Sequence, residues 1–149
     1  MQLRAKLAAA TLAATVIGGG ALMPTFASAA PANSLQSASK QAKLVAGGIN
    51  VRTTATVICD PNDDYHPSLS VSLAQTINGN VYYGWNYRDG SNGGWVCNGK
   101  PQTLNITAFQ SNAQPPFHKG PAVAVFYLSG ADANGNYFSF SKRVNVSIT

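Results

Sequence analysis

Asp60, Asn62 and Asp64 occupy alternate positions in the run CDPNDDYH, residues 59–66, with Asp63 and His66 beside them. Oxygen ligands at i, i+2 and i+4 open calcium loops, because Ca²⁺ takes six to eight oxygens from a chain that bends around it. Here Tyr65 stands where that bend needs Gly, and Val71 where a closing Glu would sit. The run therefore reads as a polar turn held by local side-chain hydrogen bonds, with no metal and no cofactor expected. The only histidines are His66 and His118, and no serine lies in a GxSxG elbow. All five acids are Asp, and three of them share this one turn. A separated carboxylate pair on strands is missing, and so is a nucleophile with a base beside it; the chain is expected not to be an enzyme.

The second stretch with chemical potential is VYYGWNYRDGSNGGWVC, residues 81–97, which holds three tyrosines and two tryptophans next to a Gly-rich loop. A row of rings on a sheet face can stack against the apolar faces of sugars, whereas rings turned inward build a core. Because Trp is highly buried on average, Trp85 is expected in the core with Val81 and Tyr83. Tyr82, Tyr87 and Trp95 are then the candidate ligand-binding residues, since Tyr87 and Trp95 flank the loop.

Cys59 and Cys97 are the only cysteines. They lack CxxC spacing and a neighbouring His in a zinc pattern, so in an exported chain they read as one disulfide. Export is expected from the N-terminus. Arg4 and Lys6 precede an uncharged stretch from Leu7 to Met23, and Ala27-Ser28-Ala29 supplies a small-x-small cleavage pattern. Residues 1–29 are thus assigned to a signal peptide, with secretion to the extracellular space and no membrane association after cleavage. The remaining chain is about 120 residues, the size of one domain. Subtracting Arg4 and Lys6 from the ten basic residues leaves eight against five Asp, a net charge of +3. Those eight are scattered, which argues against a nucleic-acid partner.

Residues 30–48, APANSLQSASKQAKLVAGG, are small and polar and are read as a flexible leader. From Ile49 the apolar period becomes two. Ile49, Val51, Ala55, Val57 and Cys59 share a face expected to turn inward, as do Leu69, Val71, Leu73 and Ile77 in the next strand. Asn78-Gly79 is a two-residue hairpin turn that returns the chain through the aromatic stretch. Further strands are expected over WVC (95–97), QTLNITAF (102–109), AVAVFYLSG (122–130) and YFSFSKRVNVSI (137–148). Between them, PPFHKG is expected to tuck Phe117 under one end of the domain. About seven strands without a helix predict that residues 49–149 form an all-β, antiparallel Greek-key sandwich of the immunoglobulin-like type, with a small barrel as the alternative.

Four segments carry a resemblance: TVIC at the end of the first strand, VCNGKPQTLNIT, FHKGPAVAV, and DANGN followed by KRVNV. In these the chain resembles a group of small secreted β-sandwich proteins, mostly actinobacterial and of uncharacterised function. It differs from them in having no cysteine pair in the last hairpin. The resemblance implies a fold and an extracellular address, and no site residues. Two roles follow as expectations: a module that binds an extracellular carbohydrate or cell-surface protein, or a structural or inhibitory protein acting through one loop.

Overall fold

The computed structural model describes residues 33–61, 67–90, 94–111 and 114–149. The period-two pattern is realised as strands β1 (Ser34–Ala38), β2 (Gln41–Val45), β3 (Asn50–Ile58), β4 (Ser68–Ile77), β5 (Asn80–Asp89), β6 (Gln102–Gln110), β7 (Gly120–Ala131) and β8 (Tyr137–Ile148). They form one sheet in the order β1-β3-β2-β8-β7-β4-β5-β6, and β6 also pairs with β3. That last pairing closes a ring of seven strands.

The protein is therefore a mixed β-barrel, and the expected antiparallel Greek-key sandwich is wrong. Two features overturn it. β3 pairs with β6 over eight residue pairs, from Asn50↔Phe109 to Val57↔Gln102. β2 runs parallel to β8 through Gln41↔Ser147 and Ala42↔Ile148, while every other pairing is antiparallel. The leader assigned to 30–48 is corrected as well. Residues 34–45 are a strand broken at Ser39-Lys40, and both halves line the edge of β3 opposite β6. WVC is not a strand; the eight strands come from splitting this N-terminal segment. The signal peptide assigned to 1–29 lies outside the described residues.

The barrel interior is filled by side chains, as in other small barrels. Leu69, Val71 and Leu73 of β4, Leu104, Ile106 and Ala108 of β6, and Phe126 and Leu128 of β7 are all buried in one cluster. Each end is stopped by one aromatic ring delivered from a loop. At one end Phe117, 2% exposed, lies over Gly84, where a Cβ would sit 3.0 Å from its ring. Its N–H donates to the Gly48 carbonyl at 2.9 Å. Gln75, buried in the same end, clamps the next residue like a strand partner. Its Nε2 donates to the His118 carbonyl at 2.8 Å, and the His118 N–H donates to its Oε1 at 2.9 Å. Phe117 is thus tucked in as expected, under a barrel rather than a sandwich.

At the other end Cys59 and Cys97 form the expected disulfide, Cα–Cα 4.7 Å. Two residues before Cys97, Trp95 turns into the core at 7% exposed. The hairpin between β7 and β8 is held by Asp132, whose carboxylate accepts the N–H groups of Asn134 and Asn136 and the Asn136 side-chain amide. The Asn136 amide, and then the two N–H groups, hold that carboxyl below the ordinary Asp range. A lowered folded-state value contributes stability that is complete above about pH 4 and is lost as pH falls through that value. Amide NMR signals of Asn134 and Asn136 should therefore titrate below pH 4, and in Asp132→Asn they should not move.

Candidate functional site

The two-residue turn at Asn78 (φ 51°) and Gly79 (φ 81°) joins β4 to β5 and pairs Ile77 with Asn80. From that point the register is fixed: Leu73 faces Gly84, and Ser72 faces Trp85. Since β4 turns Leu69, Val71 and Leu73 inward, β5 must turn Tyr82, Gly84 and Asn86 inward. Its other face carries Val81, Tyr83, Trp85 and Tyr87 outward. The expected placement of Val81, Tyr83 and Trp85 in the core is corrected accordingly. Trp85 is 59% and Tyr87 60% exposed. Trp95 is corrected in the opposite sense, from candidate ligand contact to core.

Of the three candidate ligand-binding residues, the structure leaves only Tyr87 in the outward row. Tyr82 is half-buried against the core. The residues that the sequence reading missed are Trp85 and Tyr83, together with Phe109 of β6, which pairs with Trp85 and is also exposed. Between this row and β7, strand β4 presents only small outward side chains, Ser70, Ser72, Ala74 and Thr76. On the far side Val123, Val125 and Tyr127 of β7 stand opposite Ala74, Ser72 and Ser70. The result is a furrow with a floor of hydroxyls and methyls and one aromatic wall.

The ladder between β5 and β6 is short, with only Gly84↔Gln110 and Trp85↔Phe109 paired. Side chains take over where it lapses. The Tyr87 N–H donates to Asn86 Oδ1 at 2.8 Å, and the Tyr83 N–H to Gln114 Oε1 at 2.9 Å. Arg88 Nη1 crosses the seam to donate to the Asn105 carbonyl at 3.0 Å. These contacts cap the sheet edge, so the seam does not offer a bare ladder for another strand. What it does offer is a cleft of about 300 Å³ lined by Trp85, Tyr87, Phe109, Asn86, Gln110 and Ser111. Three exposed rings meet there beside three uncharged polar residues. Such a lining can stack against a ring and satisfy hydroxyl or amide groups at its rim.

Asn62, Asp63, Asp64 and His66 of the acidic turn lie outside the described residues. Asp60 is described, and its N–H donates to Asn33 Oδ1 at 3.0 Å. Among the described residues no three His, Cys, Asp or Glu side chains gather as metal ligands. No helix among them is long and apolar enough to cross a membrane.

No protein-family model matches the chain, and no match was found among curated protein sequences. Among solved structures, Spo0M, a sporulation control protein from Bacillus subtilis, shows a distant likeness, with 14% identity and a TM-score of 0.35. The likeness covers 78% of this chain and 49% of Spo0M, so the chain spans about half the length of that protein.

Proposed function

We propose that this protein is a secreted, non-enzymatic module that binds an extracellular carbohydrate through the outer face of β5. The observation that carries the reading is the outward row Tyr83, Trp85 and Tyr87, with Phe109 beside Trp85. Burying such rings would stabilise a free-standing barrel, yet the fold leaves them in water and fills its interior with Phe117, Phe126 and Trp95 instead. Large exposed apolar patches mark interaction sites. The serine floor beside the row suits a hydroxyl-rich ligand better than an apolar protein surface. The disulfide fits an extracellular address, and the Arg4 to Ala29 pattern supports export. The alternative of action through the Pro-rich loop has less support, because its aromatic residue Phe117 is buried and its backbone is clamped to Gln75.

Co-sedimentation with insoluble cellulose, chitin and peptidoglycan tests the proposal. The wild-type protein should be retained on at least one of them. Trp85→Ala should lose that retention while stability changes by less than about 1 kcal/mol, as expected for an exposed side chain. Iodide should quench Trp85 and spare Trp95 in the unliganded protein, and the ligand should protect Trp85. Retention that survives in Trp85→Ala, or its absence on every polymer, rules the proposal out.

A further inference from the structure

Resting on that reading, we infer that the ligand is an uncharged, chain-like glycan that lies along β5 with one sugar ring in the cleft at the β5–β6 seam. Charge is the first argument. From Val81 to Tyr87, and at the outward positions paired with them on β4, β6 and β7, side chains are aromatic, aliphatic, hydroxyl or amide, and none is ionised. Charges stand at its margins: Arg88 and Asp89 end β5, with Arg88 reaching the Asn105 carbonyl, Arg52 of β3 lies beyond β6 opposite Thr107, and Arg143 of β8 lies opposite Val125. The cleft itself is lined without a charged residue. Between Val81 and Tyr87 a polyanionic or polycationic ligand would meet no counter-charge. A neutral one gives up no ionic hydration on binding.

Shape is the second argument. At about 300 Å³ the cleft is at the small end of ligand sites, which suits a single ring. Yet the rings do not stop at its rim. Tyr83 and Val81 continue the row on the side away from Tyr87, and with two residues per step it spans about 20 Å. Ser72, Ala74 and Thr76 run beside them on β4, low enough to let a chain lie flat. A monosaccharide would use only the cleft and leave Tyr83 idle. A chain uses both.

A calorimetric titration series decides the matter. The probes are oligosaccharides of one to five units in the gluco, xylo, manno and N-acetylglucosamine series, with oligogalacturonate as the acidic counterpart. At least one neutral series should gain about tenfold in affinity between its shortest binding member and the tetramer, or about 1.4 kcal/mol. Tyr83→Ala should erase most of that gain and leave the shortest binder unchanged. Phe109→Ala, at the cleft, should weaken every member of the series alike. Flat length dependence, or tighter binding of oligogalacturonate, overturns this inference and leaves carbohydrate binding standing. Binding to no series, neutral or acidic, removes both. Sedimentation equilibrium reads the other occupant: a dimer that dissociates in Trp85→Ala would show that the face is covered by a second copy of the chain, and would also overturn the inference.

Discussion

Phe117→Ala should lower stability by about 3–5 kcal/mol, measured as the shift of the denaturant unfolding midpoint at constant slope. The ring fills one end of the barrel at 2% exposed and lies against Gly84. Its backbone is held on both sides, by the Gly48 carbonyl and by the Gln75 amide bonded to His118. With the loop tied in place, the hole cannot be closed by the chain sinking inward, so the cost belongs at the high end for a large-to-small change. Phe117→Leu should recover more than half of the loss. A loss below about 1 kcal/mol in Phe117→Ala would mean that the ring does not stop the barrel.

Cys97→Ser should cost about 2–5 kcal/mol by the same measurement. The bond closes a loop of 38 residues that contains β4 and β5. In the chain-entropy picture, tying such a loop in the unfolded chain is worth about 4 kcal/mol. The bond also seats Trp95, two residues upstream, in the core. Wild-type protein should not react with alkylating reagents before reduction. Because Phe117 and Cys97 stop opposite ends of the barrel, the losses in the double variant should add to within about 0.5 kcal/mol. Two alkylatable thiols in the untreated protein, or an unchanged midpoint in Cys97→Ser, would contradict the pairing.

The strands from β3 onward were legible because alternation is a local property. Val51 to Cys59 and Leu69 to Leu73 have the inward faces that their parity predicts, whereas Ile49, expected on the same face, is exposed because it lies in the turn before β3 begins at Asn50. Closure was not legible. A sandwich and a barrel ask the same period of each strand, and the parallel seam that distinguishes them here rests on two residue pairs. β1 and β2 are rich in Ser, Gln, Ala and Lys, which have little strand preference of their own; the waiting edge of β3 makes them strands.

The aromatic row, by contrast, was recoverable. A two-residue turn at Asn78-Gly79 pairs Leu73 with Gly84, so an inward Leu73 forces Trp85 outward. Average burial argued the other way, and register prevailed because a one-residue slip would have turned every side chain of β5 over. Trp95 also left a signal. Cys59 shares the inward face of β3, so a partner bonded to it must approach the interior and bring its neighbours along. Phe109 left none, since its place beside Trp85 depends on where β5 and β6 meet.

The parallel contact between β2 and β8 has a temporal consequence. The Ala42 carbonyl accepts the N–H of Thr149, more than a hundred residues away. No smaller piece of the chain contains both sides of that seam. A partial chain can form hairpins such as β4–β5, but the ring stays open at the outer edge of β2 until residues 147 and 148 are present. Contacts this distant in sequence make folding slow. For the export proposed above the delay has a use: the barrel cannot lock shut before its last strand has arrived.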